Sequence, residues 1–171
     1  MRAIAYIAAT AAAFLAMTSD TTEAATRAAE FLKTVEGFRP TPYKDPAGNR
    51  TIGYGFTSAE LTGCRRITET EASVELVRIC RNLSAMLRTE LNGQRLTVAE
   101  ESALISFIYN VGWSNFKAST MLRLLKEGKR GEAVADEFSR WVYVTKGGRK
   151  VACEGLRTRR ARERKRFLGG C

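Results

Sequence analysis

The sequence contains no histidine, and that absence excludes a good deal of chemistry. Ser-His-Asp and Cys-His catalysis both need an imidazole base, and the common His-bearing zinc sites need an imidazole ligand. The four cysteines, Cys64, Cys80, Cys153 and Cys171, form no C-x-x-C pair, so a metal site is disfavoured too. Acidic residues are the scarcer sign of charge, 18 Asp and Glu against 28 Lys and Arg. The resulting charge of +10 directs the protein toward polyanions: nucleic acid, anionic lipid or an acidic cell-wall polymer. Carboxylates, hydroxyls and cysteines are left to supply any chemistry, with no metal or cofactor expected. A chain of 171 residues is long enough to bury one proper core, arranged as one domain or two small lobes.

Charge is also missing from the N-terminal run. Arg2 precedes AIAYIAATAAAFLAMTS, and Asp20 is the first acid. A basic residue, an apolar run and the small-x-small sequence Thr22-Glu23-Ala24 predict a signal peptide or signal-anchor segment over 1–24, with the globular domain over 25–171. Export to the periplasm or secretion follows, with transient inner-membrane association through this segment. An even number of cysteines suits an oxidising compartment, and spacing favours Cys64–Cys80 and Cys153–Cys171 over the other two pairings.

No repeat or low-complexity segment follows the leader. Ala28, Phe31, Leu32 and Val35 share one stripe of a helix from Ala25 that stops at Gly37. Pro, Gly and Asn crowd residues 40–50 and RTIGYGF is strand-like, so a small hairpin is expected at about 41–57. Thr68 with Glu71 and Thr97 with Glu100 are capping boxes. The first opens a helix through Val74, Val77, Leu83 and Leu87. The second opens one that carries Leu104, Phe107, Ile108 and Val111 on one face and ends at Gly112. Further helices are expected at Ser119–Glu127, Glu132–Trp141 and about Leu156–Leu168. The predicted class is α+β, mostly helical: a small lobe with the hairpin, then a larger helical lobe.

Two carboxylates stand apart in this basic chain. Glu36 ends the first helix, where unpaired carbonyls create negative potential that favours a carboxyl holding its proton. Asp45 follows a Pro-rich turn beside Lys44 and is expected to stay ionised. Environments that separate two carboxyls in this way suit one to act as acid and the other as base. Thr51 adds a hydroxyl, giving the spacing E-x8-D-x5-T. The plainer alternative is an Asx turn at Asp45 and an ordinary strand threonine at 51.

The segment EGFRPTPYKDPAGNRTIGYGFT resembles the catalytic segment of phage-type lysozymes, the endolysins of glycoside hydrolase family 24. That family has Glu, eight residues, Asp or Cys, five residues and Thr, running into a T-I-G-Y-G strand, and the match is ungapped. The resemblance continues through ALISFIYNVGWSNFKASTMLRLL, RWVY and GLRTRRARERKRF. It implies a lysozyme-like fold with a cleft between the lobes. It also implies a monomeric muramidase that hydrolyses the β-1,4 bond between N-acetylmuramic acid and N-acetylglucosamine in bacterial peptidoglycan.

By the same resemblance, Glu36 is the proton donor, and Asp45 with Thr51 holds the attacking water. Inverting members need the carboxyls roughly 6.5–9.5 Å apart. Gly55, Tyr109, Asn110 and Ser119 are the implied cleft residues, and Arg160 matches an arginine beside the catalytic glutamate. Phe56 departs from the family's usual histidine. Asp45, rather than Cys, argues against control by a caged catalytic cysteine. A nucleic-acid binder is disfavoured because RTRRARERKRFLGG lacks interleaved aromatics. A lytic transglycosylase is disfavoured because it needs no activated water.

Overall fold

An apolar segment buried on all sides forms the central helix. A computed structural model describes residues 2–45, 48–57, 59–63 and 66–170, with side chains from Ser19 onward apart from Glu60 and Lys146. Helix α4, Val98–Val111, is buried at every residue from Glu100 to Ile108. Its ends are set as the sequence predicts. Thr97 and Glu100 exchange both hydrogen bonds of a capping box, and the Gly112 amide bonds back to Ile108 O.

This helix separates two cores. Leu104, Phe107 and Ile108 face a helical lobe with Phe116, Phe138 and Phe167. Ile105 faces a smaller lobe built on Ala25, Ala28, Leu32, Ile52 and Leu76. Helices α1 (Arg2–Glu36), α3 (Glu69–Leu91) and α8 (Glu154–Phe167) pack against α4.

Helix α1 spans Arg2–Glu36 without a break, so the helix expected from Ala25 begins well before it. The reason is local: no glycine or proline precedes Gly37, and alanine is the strongest helix former. Ala24, Ala25, Ala28, Ala29 and Leu32 are fully buried, their small side chains allowing close approach of α3 and α4. Among the described residues no helix is long and apolar enough to cross a membrane.

Strands β1 (Arg39–Lys44) and β2 (Arg50–Gly53) form the expected antiparallel hairpin, with Tyr43 opposite Thr51. A one-turn helix, α2 (Ala59–Thr62), leads to α3 (Glu69–Leu91), which opens with the predicted Thr68–Glu71 box. The buried stripe of α3 is Ala72, Leu76, Cys80, Ser84, Leu87 and Leu91. Val74 falls outside this spacing and is 68% exposed.

The helical lobe continues through α5 (Trp113–Lys117) and α6 (Thr120–Lys126). The expected Glu132–Trp141 helix instead breaks into α7 (Glu132–Ala135) and a 3-10 turn over Asp136–Arg140. A second hairpin, β3 (Tyr143–Lys146) and β4 (Arg149–Ala152), precedes α8 (Glu154–Phe167). Gly147 and Gly148, both at positive φ, make its two-residue turn, a conformation that glycine supplies without strain.

The cysteine expectation is corrected. Cys80 is fully buried in the small-lobe core, and it and Cys153 carry free thiols. Cys64 and Cys171, their expected partners, lie outside the described residues. Burial pushes the Cys80 thiol up to about 12, because a thiolate loses its hydration there.

Candidate active site

Glu36 is the last residue of α1, placed where the helix meets the β1–β2 hairpin. Its carboxylate is held from the far end of the chain: Arg159 of α8 donates from Nη1 to Glu36 Oε1 at 2.5 Å. Beneath it lies Gly55, at φ +92; a Cβ added there would stand 3.4 Å from Glu36 Oε2 and 3.8 Å from the Tyr109 hydroxyl. The absent side chain leaves room for the carboxyl, and the positive φ suits glycine.

Asp45 sits at the end of β1 and organises the loop to β2. Its Oδ1 accepts from the Asn49 amide at 2.8 Å, and its Oδ2 from Asn49 Nδ2 at 3.1 Å. The backbone reinforces this, with Asp45 N donating to Asn49 O and Gly48 N to Asp45 O, both at 2.9 Å. The turn-forming alternative is therefore realised. Thr51 is 3% exposed and donates its hydroxyl proton to Asn49 O at 3.2 Å, which leaves lone pairs on Oγ1 as acceptors.

Glu36, Asp45, Thr51, Gly55, Tyr109 and Asn110 line one cleft of about 770 Å³ between the lobes, with Tyr43 and Trp113 also on its wall. A second chamber of about 710 Å³ shares Asn110 and Val111 with it and is lined by Ser119, Trp141, Tyr143 and Lys150. The catalytic candidates thus meet in one cleft, and Ser119 stands in the adjoining chamber. Ser119 caps α6: its Oγ accepts from Leu122 N at 3.1 Å and donates to Phe116 O at 2.7 Å. Tyr109 donates to Tyr54 O at 2.8 Å, and burial, with Glu36 nearby, raises its phenol. Phe56, in place of the family's histidine, is 3% exposed and packs over Gly53.

The arginine at Glu36 is Arg159 and not Arg160. Arg160 is turned away by about one helical step: it donates to Asn110 Oδ1, Glu163 Oε2 and, at 3.2 Å, Trp141 O. Desolvation lowers its guanidinium from the ordinary value, opposed by Glu163. Asn49, Arg159 and Glu163 are the residues that sequence reasoning passed over. Glu163 carried a usable signal, as a single acid three and four residues after two arginines, where side chains on a helix meet.

Comparison with known proteins follows the same lines. The family model described as Phage lysozyme matches residues 33–163. The chain is similar to a SAR-endolysin of Bacteriophage PS119, 34% identical over 140 residues spanning 80% of this chain and 78% of the relative. Among solved structures it is similar to the muramidase domain of SpmX from Asticaccaulis excentricus. That likeness has a TM-score of 0.69 and 30% identity, over 82% of this chain and 94% of that one. It is also similar to an endolysin from Escherichia coli O157:H7 phage FAHEc1, with a TM-score of 0.67 and 27% identity, over 83% and 90% of the two chains.

Proposed function

We propose that this chain, which belongs to the phage lysozyme family and hydrolyses peptidoglycan, cuts its glycan by inversion, with Glu36 as general acid and Asp45 with Thr51 as the water-holding pair. The observation that carries the reading is that all three line one cleft between the lobes. The bond is the β-1,4 link from N-acetylmuramic acid to N-acetylglucosamine. A water that donates one proton to Asp45 and the other toward Thr51 Oγ1 presents its lone pair to the anomeric carbon. Glu36 protonates the leaving oxygen from the opposite side, as inverting carboxyl pairs do. The Asp45 carboxylate takes the water's proton as the new C–O bond forms.

Tyr109 and Asn110 belong to the wall along which the glycan lies, and Gly55 keeps Glu36 accessible to it. Ser119, in the adjoining chamber, marks the continuation of the binding surface. The enzyme acts as a monomer, and its positive charge favours the anionic wall.

Residues 1–24 serve as a membrane tether that is later released into the periplasm, a reading supported by likeness to relatives named SAR-endolysins. Retention of the segment, rather than cleavage after Ala24, is supported by the unbroken α1 and the buried Ala24 and Ala25.

The test is product analysis on purified peptidoglycan with the wild type and Glu36→Gln. Inverted reducing-end sugar from the wild type, with loss of at least a thousandfold in the variant, is expected from removing the proton donor. Retained anomeric configuration, an anhydro-sugar product or an active Glu36→Gln enzyme overturns the assignment.

A further inference from the structure

Glu163 has no exposed side-chain surface, and nothing in the hydrolysis just described uses it. A carboxylate buried to this extent is stable only with partners, and Glu163 has three. Its Oε1 accepts from Ser106 Oγ at 2.7 Å and from Arg159 Nε at 3.0 Å; its Oε2 accepts from Arg160 Nη1. Each arginine then continues outward to the cleft. Arg159 reaches Glu36, and Arg160 reaches Asn110, so one buried acid anchors both guanidinium groups behind the catalytic surface. We infer that Glu163 is a positioning and charge-balancing residue for the hydrolysis, holding Arg159 and Arg160 in place and offsetting one of their two charges behind Glu36. This inference rests on the reading of Glu36 as the acid.

Charge is crowded behind Glu36. Two buried guanidinium groups alone present +2 behind the cleft, and net positive charge favours the ionised form of any carboxyl beside it. Glu163 reduces that to +1. Asp45, on the same cleft as Glu36, adds a further carboxylate that is unchanged in every variant used below. Helix α4 contributes Ser106, Asn110 and the Tyr109 phenol, all uncharged at neutral pH, and the Trp141 carbonyl is also neutral. The 3-10 turn contributes Glu137, ion-paired to Arg140 at 3.3 Å, which lines the second chamber with Arg160. On α8 itself Arg162 turns to Thr34, and Arg164 to Glu132 and Asp136.

The experiment reads the alkaline limb of the pH–rate profile in three variants of the full chain. Glu163→Gln removes the negative charge and should move the limb to lower pH. Arg160→Met removes one positive charge and should move it up. The double variant restores the balance and should return the limb toward the wild-type position. A role in packing alone lowers stability and total activity but does not order the three limbs in this way.

Should Glu163→Gln fail to fold, the comparison of Arg160→Met with the double variant still reads the charge of residue 163. That double variant replaces a buried ion pair by uncharged groups, a change that proteins commonly tolerate. Coincident limbs in the variants that fold, alongside an inactive Glu36→Gln enzyme, overturn the role of Glu163 and leave the acid assignment standing. An active Glu36→Gln enzyme removes the acid assignment itself.

Discussion

Arg159 and Glu36 lie 123 positions apart and meet at 2.5 Å, joining the last helix to the end of the first. Arg159 is 8% exposed, so its guanidinium is a buried charge with two carboxylate partners, Glu36 and Glu163. Replacing it by methionine keeps the stem and leaves Glu163 with one cation instead of two. Breaking such a pair costs about 3 kcal/mol, visible as a lower urea midpoint. Glu36 loses its tether as well, and activity at the optimum should fall about tenfold or more. A variant with wild-type stability shows that the ion pair contributes nothing net to the fold.

Asn49 fixes Asp45 through two hydrogen bonds, one from its amide and one from its side chain. Asn49→Ala keeps the first and removes the second. The lost bond is worth about 1 kcal/mol, so kcat should drop by several-fold while KM stays near the wild-type value. A change confined to KM instead places Asn49 in substrate binding rather than in positioning the base.

The grouping of Glu36, Asp45 and Thr51 on one cleft was legible because these residues are close in sequence and the spacing E-x8-D-x5-T survives without reference to the rest of the fold. The helix starts at Thr68 and Thr97 were legible for a similar reason: a capping box is closed within four residues. Residues that act across the molecule were harder to assign. Arg159 and Arg160 are adjacent in a helix dense with arginine, and a shift of one residue turns a side chain by about 100°. Only the packing of α8 on α4 decides which one reaches Glu36. The β3–β4 hairpin was missed because all of β4 is exposed, so no alternation of apolar and polar residues marks it. Its Gly147-Gly148 turn was the available signal. The continuity of α1 across residues 24 and 25 was not legible because composition changes there while helix propensity does not.

Gly55→Ala tests the space under Glu36. The new methyl would stand 3.4 Å from Glu36 Oε2 in a backbone at φ +92, a region that costs an alanine about 1–2 kcal/mol. Stability should fall modestly. Activity should fall further, about tenfold or more, because a displaced Glu36 misses the glycosidic oxygen. Equal activity at saturating substrate shows that Glu36 has enough freedom to accommodate the methyl group.

Cys80 should be chemically silent in the native protein. The thiolate is the reactive form, and a thiol pushed up to about 12 is almost wholly protonated at pH 8. Cys153, half-buried at the start of α8, should alkylate first, and Cys80 only after denaturant is added. Peptide mapping after a timed iodoacetamide pulse distinguishes them. Rapid labelling of Cys80 without denaturant shows that the small-lobe core opens.

The fate of residues 1–24 follows from where a cut would fall. Cleavage after Ala24 divides a continuous helix between two residues that have no exposed surface. It also severs two links that straddle the point: the Arg27–Glu23 ion pair at 2.7 Å, and the bond from Thr26 Oγ1 to Thr22 O at 2.8 Å. The new ammonium group on Ala25 would lie within the small-lobe core, where an unpaired charge is strongly disfavoured. The active form should therefore be the intact chain of 18.9 kDa. It should appear first with the inner membrane and later in the soluble periplasm. A chain expressed from Ala25 should be less stable and less active, since the turn of α1 leading into the Ala25–Leu32 stripe is missing. Mass spectrometry of periplasmic protein decides the matter: an active, stable species that begins at Ala25 shows that the leader is a cleaved signal and that the core tolerates the new terminus.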